Sequence, residues 1–202
     1  MKTAFEVLLI VLTYILGSIP FGYIFTRKFT GINIREQGSG NIGSTNVKRV
    51  AGSKVALITQ LCDMLKGLLP VGAILSLQYC NFYTYPDTYV YMIALAAILG
   101  HNFSIFLKFK GGKGVNTTLG ASILLSPIPV LVAVLVYFLV KWKTKYVSLG
   151  SICLSVTLPV SEFLIHKSSY QFWYFLLCAT LIILMHLPNI VRLINGYENK
   201  TI

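Results

Sequence analysis

Acidic residues are scarce in this chain. Six carboxylates occur in 202 residues, at Glu6, Glu36, Asp63, Asp87, Glu162 and Glu198, and no two of them form a tight pair. Hydrolysis by paired carboxylates and carboxylate-bound metal sites both need such groups to converge, so neither is expected. Charged residues of both signs make up only 11% of the chain, against about 25% in a soluble domain. The four cysteines, Cys62, Cys80, Cys153 and Cys178, are scattered and match neither a metal-ligand nor a disulfide spacing. They read as small buried hydrophobes. No Walker A loop is present either. Phe109-Lys110-Gly111-Gly112-Lys113-Gly114 lacks the first glycine, and its Lys113 is followed by Gly, not Ser or Thr.

What the chain has instead is apolar length. Hydrophobic residues make up 55% of it, and several stretches approach the roughly 20 residues that cross a bilayer. The reading is an all-α integral membrane protein, one domain over residues 1–202. The net charge of +11 needs no nucleic acid to explain it. Basic residues cluster between apolar runs, at Arg27 to Lys54, Lys108 to Lys113 and Lys141 to Lys145, while residues 78–88 contain none. That asymmetry is the positive-inside pattern. The N-terminal apolar run lacks a small-residue cleavage site and has more positive charge after it than before it, so it reads as a span rather than a signal peptide.

The charge pattern sets an expected topology. Residues 5–25 run inward from an external N-terminus, with Gly17, Ser18, Pro20 and Gly22 kinking the end. Residues 55–77 return outward and 88–107 come back. Ser126-Pro127 is a good helix start. Residues 117–125 and 127–140 are therefore read as a re-entrant pair of half-helices, which keeps Lys141, Lys143 and Lys145 inside. Residues 146–165 and 171–188 complete the chain. Seven hydrophobic helices result, as five spans plus two half-helices, with the C-terminus inside.

Two glycine loops then share the cytoplasmic face. Gly38-Ser39-Gly40-Asn41-Ile42-Gly43-Ser44-Thr45-Asn46 exposes successive N–H groups and short donors, the chemistry of a phosphate nest. Its G-x-G-x-x-G spacing lacks the preceding strand of a dinucleotide fold. Arg49, eight residues after Asn41, can grip a phosphate with two parallel hydrogen bonds. Lys113, between glycines, can bring its ammonium and nearby N–H groups to a phosphate. Asp63 and Lys66 share a helix face, and Asp63 reads as a structural partner for a basic residue. His186 lies one turn from Asn189. No Asp stands five residues after His101 or His186, so the His-x4-Asp acyltransferase motif is absent. Two function classes fit these features: an enzyme acting on phosphorylated substrates, and a transporter of a small phosphorylated solute.

Several motifs in one order resemble a known family. They are Gly38 to Asn46 with Arg49, Leu61-Cys62-Asp63-Met64-Leu65-Lys66-Gly67, Gly100-His101 with Phe109 to Val115, Tyr146-Val147-Ser148-Leu149-Gly150-Ser151, and His186 with Asn189. The chain resembles the bacterial acyl-phosphate:glycerol-3-phosphate acyltransferases, the PlsY family, over nearly its whole length. The resemblance implies acyl transfer from acyl phosphate to the 1-hydroxyl of glycerol 3-phosphate, giving lysophosphatidic acid and phosphate. It implies no cofactor, no metal and no acyl-CoA. Ser39, Gly40 and Asn41 would serve the acyl phosphate, and Arg49, Lys113, Ser151, His186 and Asn189 the glycerol 3-phosphate. Lys113, Arg49, Ser39 and His186 are the expected catalytic residues. Gly38, Gly40, Asn41, Gly43, Thr45, Asn46, Gly112, Ser148, Ser151 and Asn189 are expected to bind substrate. The base is either His186 or a phosphate oxygen of the donor, and the latter is favoured. Expected partners are the two substrates, membrane lipid and the soluble enzyme that supplies acyl phosphate. The chain departs from the family at Ser104, where Pro is frequent, and at Asn116, where a small residue is common.

Overall fold

Proline and glycine decide where the helices break and how closely they approach. The structure is a computed structural model describing residues 2–200. Among the described residues all regular structure is helical. The chain divides into two compact units, Met1–Leu124 and Leu125–Ile202.

The first unit contains α1 (Lys2–Ser18), α2 (Phe21–Thr30), α3 (Ser44–Tyr79), α4 (Tyr89–Asn102) and α5 (Val115–Ser122). The expected kink near Pro20 separates α1 from α2. Ile19 is left outside both helices, and its carbonyl accepts a hydrogen bond from Lys66 Nζ at 3.1 Å. At membrane depth such a backbone group must find a partner within the protein, and Lys66 adds one to the Phe21 N–H, which donates to the same oxygen at 3.1 Å. Two crossings rely on glycine. A Cβ on Gly17 or Gly100 would run into the facing backbone of the α1/α4 pair, and one on Gly67 or Gly120 into that of α3/α5. Small residues admit this approach where lipid offers no hydrophobic drive to assembly. On α3 the buried face carries Ala56, Thr59, Asp63 and Lys66, while Leu57, Leu61 and Leu65 are exposed. This polar-in, apolar-out helix suits a lipid surround.

The second unit contains α6 (Pro127–Thr144), α7 (Val147–His166), α8 (Tyr170–Met185) and α9 (Leu187–Ile194). α7 buries Ser148, Ser151, Ser155 and Glu162 beside Leu154 and Leu158. Glu162 is fully buried, and its carboxyl gathers three side chains. Ser126 Oγ donates to Oε2, Ser169 Oγ donates to Oε1 at 3.2 Å, and His166 Nδ1 lies 2.9 Å from Oε1. Ser126 thus precedes α6 as expected, but its hydroxyl serves Glu162 and does not cap the helix.

Five helical segments are long and apolar enough to cross a membrane: Thr3–Thr30, Ser44–Tyr79, Tyr89–Leu107, Pro127–Thr144 and Val147–His166. One bent pair, α8 with α9 at 59°, joins them. The number of spans expected is therefore met, but in different helices. α6 runs 18 residues to Thr144 and is span-length, about 27 Å, because no breaker interrupts it after Pro129. α5, at eight residues, is the short helix. The bend falls at His186-Leu187-Pro188, where proline and the preceding residues end α8. Of the four cysteines, only Cys178 is buried within the chain.

Candidate active site

The first glycine loop is organised by Asn46, which is 2% exposed. Its Oδ1 accepts from the Ser39 N–H at 2.9 Å, and its Nδ2 donates to the carbonyls of Asn41 at 2.9 Å and Gln37 at 3.0 Å. Asn41 turns its own Oδ1 to the Gly43 N–H at 2.8 Å, and the Gly40 N–H donates to Gln37 O at 3.0 Å. Gly38 and Gly40 have φ of +60° and +69°, the left-handed region that a side chain resists. The expected nest is thereby modified. The N–H groups of Ser39, Gly40 and Gly43 hold the loop's own shape, as Asn46 does. Ser39 itself stands exposed at the loop's crest. Ser44 and Thr45 begin α3, whose positive helix end favours an anion. Arg49 follows one turn on and is exposed.

The second loop is folded back on the end of α4. Gly111 N–H donates to Asn102 O, and Gly112 N–H to His101 O, both at 3.0 Å. Gly112 lies flat against the His101 ring, where a Cβ would collide with Nε2. This packing fixes the backbone on which Lys113 stands, and Lys113 is half-buried. Beneath it lies the buried cluster that the sequence shows only in part. Asp63 Oδ1 is 2.9 Å from Lys66 Nζ and 3.5 Å from His101 Nδ1, with all three side chains at 5% exposure or less. Asp63 does partner a basic residue, and His101 extends the cluster to the Lys113 loop.

The two loops are linked inside the first unit. Asn116 Nδ2 donates to Ser44 Oγ at 3.3 Å, so the start of α5 is tied to the start of α3. Both departures from the family pattern thus have structural jobs. Asn116 makes this link, and Ser104 Oγ donates to Ser18 O at 2.5 Å, a bond no proline could make.

The second unit gathers the remaining residues. Ser148, Ser151, His186 and Asn189 are all buried. Ser151 Oγ donates to Val147 O at 3.0 Å, so its lone pairs are what it offers a ligand. His186 Nδ1 lies 2.8 Å from Ile182 O. A carbonyl only accepts, so Nδ1 carries a proton and Nε2 is the accepting nitrogen of the neutral ring. The Asn189 N–H donates to His186 O at 2.8 Å, which joins the two in one turn. Ser148 and Asn189 meet on Glu198, a residue to which no sequence motif gives a role. Glu198 Oε1 accepts from Ser148 Oγ at 2.8 Å and Asn189 Nδ2 at 2.7 Å, and Oε2 from Arg192 Nε at 2.6 Å. Burial pushes this carboxyl up, but the bonds from Arg192, Asn189 and Ser148 outweigh it and hold it below the usual glutamate value. No spacing points to Glu198, because its partners sit on segments that only folding brings together.

Comparison with known proteins bears on the family and the fold. A family model described as glycerol-3-phosphate acyltransferase matches residues 7–196. A glycerol-3-phosphate acyltransferase of Clostridium acetobutylicum is 43% identical over 195 residues, covering 95% of this chain and 98% of its own. One from Geotalea daltonii is 44% identical over 196 residues, covering 96% of each. Among solved structures, crystal structures of PlsY, an integral membrane glycerol 3-phosphate acyltransferase, match at 33% identity. The glycerol 3-phosphate form has a TM-score of 0.87 and covers 97% of this chain and 95% of that one. The lysophosphatidic acid form has a TM-score of 0.84, with 96% and 94% covered. A transporter reading finds no support among these relatives.

Proposed function

Because this chain belongs to the glycerol-3-phosphate acyltransferase family, a family of multi-pass integral membrane enzymes, we propose that its acyl donor is an acyl phosphate and its acceptor atom the 1-hydroxyl of glycerol 3-phosphate. The hydroxyl oxygen attacks the acyl carbon, the carbon–oxygen bond to phosphate breaks, and the hydroxyl proton leaves on the departing phosphate. Lysophosphatidic acid and inorganic phosphate result. The observation that carries this reading is the tie between two donor-rich loops, Ser44 to Asn116, beside Arg49 and Lys113.

In this reading the Ser39 hydroxyl and the start of α3 receive the donor phosphate. Arg49 and Lys113 stabilise the charge that grows on it as it leaves, and such preset charge stabilisation dominates the barrier lowering in many group transfers. Gly38, Gly40, Asn41, Gly43 and Asn46 shape the first loop, Thr45 stands in the first turn of α3, and Gly112 seats the second loop. His186, Ser151 and Asn189 hold the glycerol 3-phosphate, with His186 Nε2 accepting from a glycerol hydroxyl. The donor's own phosphate oxygen is the base, because it arrives as a dianion beside the attacking hydroxyl. The acyl chain lies among apolar side chains, and the product remains in the bilayer. A soluble enzyme that makes acyl phosphate supplies the donor.

Purified protein given acyl phosphate and glycerol 3-phosphate should form lysophosphatidic acid and release phosphate stoichiometrically. Folded protein without turnover across donor chain lengths would sink the reading. The site is placed on the cytoplasmic side of the bacterial inner membrane, with the N-terminus outside and the C-terminus inside. In a cysteine-free background, a cysteine at residue 83 should label from outside and one at 143 from the cytoplasm. Labelling of residue 143 from outside alone would reverse the placement of α6.

A further inference from the structure

The turn between α4 and the Lys113 loop carries groups that the acyl-transfer step does not use. Ile105, Phe106 and Phe109 are 49%, 58% and 60% exposed there, and Lys108 and Lys110 stand exposed among them. We propose that residues 105–110 form the lip over which the acyl donor enters the site. Phe106 and Phe109 hold its hydrocarbon chain, and Lys108 and Lys110 draw its phosphate toward Lys113. The proposal rests on the acyl-phosphate reading above and gives that donor a path.

Backbone conformation singles this turn out. Lys108 and Phe109 have φ of +54° and +60°, two successive residues in the left-handed region and neither of them glycine. A Cβ crowds the following carbonyl there, and phenylalanine has no polar group to offset the strain by bonding locally. Such strain persists only where the surroundings over-determine it, and it gathers at functional sites. Here the hydrogen bonds are dense. The Phe109 N–H donates to Ser104 O at 2.8 Å, the Leu107 N–H to the same oxygen at 3.1 Å, and the Lys110 N–H to Leu107 O at 3.2 Å.

Leu107 anchors the turn. It is 6% exposed and belongs to a buried cluster with Ile34, Ile42, Val47 and Ala56. Ile34, Ile42 and Val47 stand before, within and after the first glycine loop. The lip is therefore tied to the first loop by one buried side chain. Gly111, next in the chain after Lys110, ties it to the second loop by donating to Asn102 O.

The combination of groups selects the ligand. An acyl phosphate is an amphiphile, with a doubly charged head and a long apolar tail. Exposed rings gain by covering such a tail, and nearby ammonium groups attract the head and speed its capture. Glycerol 3-phosphate has no tail and gains nothing from the rings. Exposed apolar residues along the spanning helices are accounted for by lipid. Those of this turn alternate with lysines directly before the glycines of the second loop.

The test uses the full-length enzyme in bilayers and in detergent micelles, with wild-type acyl transfer measured first. A wild-type protein without turnover fails the proposed function, whereas an active one isolates the lip. Phe106→Ser with Phe109→Ser should raise the KM for a long-chain acyl phosphate about tenfold in both media. The KM for glycerol 3-phosphate should stay within about twofold and the melting temperature within about 2 °C, because both positions are exposed. Should the pair not fold, Phe106→Ser alone carries the same expectation at about threefold. Phe106→Leu with Phe109→Leu keeps apolar surface and should hold the donor KM within about twofold of wild type. Lys108→Gln with Lys110→Gln should lower kcat/KM for the donor about threefold or more, and the difference from wild type should disappear at high salt. An unchanged donor KM in the serine variants overturns the proposal. Equal rises in both KM values would make the turn a brace for the loops, and a donor effect confined to bilayers would make the rings a seat in lipid; either refutes it, as does a leucine pair as weak as the serine pair.

Discussion

Lys66→Met is the substitution whose cost is most directly set by this structure. The Lys66 ammonium bonds to Asp63 at 2.9 Å and to the Ile19 carbonyl at 3.1 Å, with the Phe21 ring 5.7 Å away. Methionine fills similar volume but donates nothing. It leaves Asp63, 2% exposed, with His101 at 3.5 Å as its remaining basic partner, and it removes one of the two donors on the Ile19 carbonyl, where the Phe21 N–H remains at 3.1 Å. Breaking one side of a buried ion pair costs about 3–5 kcal/mol. At about 2–4 °C per kcal/mol for a chain of this size, the melting temperature should fall by roughly 6–20 °C. Removing both charges, Asp63→Asn with Lys66→Met, should recover most of that loss, because the uncompensated buried charge is the dominant cost. The assay is thermal unfolding of the purified protein in one detergent, with the single and double variants side by side. A shift of under about 2 °C for Lys66→Met, or a double variant no better than the single one, would refute the reasoning.

Three further outcomes are expected. Gly112→Ala drives a Cβ into the His101 ring and should cost about 1–3 kcal/mol, while acyl transfer falls further than stability because Lys113 moves with the loop; equal activity per folded molecule would contradict this. His186→Ala should raise the KM for glycerol 3-phosphate and leave the pH profile of kcat in place, whereas a collapse of kcat by about 10²–10⁴ with loss of a titrating limb would make His186 the base. The Glu198 carboxyl titrates below its usual value when folded, so its clasp should be fully formed above the unfolded pKa of about 4.3 and lost as pH falls below it. Hydrogen exchange of the C-terminal segment, corrected for intrinsic pH dependence, should speed up across that range, and a flat response would remove the clasp.

Much of the fold is legible in the sequence because the bilayer imposes simple rules. Apolar length marks the helices, and Pro20 and Pro188 mark real breaks. The stretches 117–125 and 127–140 are harder. A proline starts a helix as readily in a full span as in a half-helix, and local sequence does not say how far the helix then runs. α6 runs 18 residues, and the bend lies between α8 and α9.

The site shows the same division. Sequence alone determined which residue types stand in the two loops, that Gly38 and Gly40 allow a left-handed turn, and that Asp63 needs a buried cation, because these follow from the chemistry and spacing of neighbours along one chain. Only the tertiary structure decided that Asn46 takes up the Ser39 N–H, that His101 supports Gly112, that Ser104 and Asn116 make bonds of their own, and that Glu198 gathers Ser148, Asn189 and Arg192. Each of those depends on a hydrogen bond between segments distant in sequence or on a turn closed by folding. A donor looks the same in the sequence whether it faces a ligand or its own protein, and packing alone decides which.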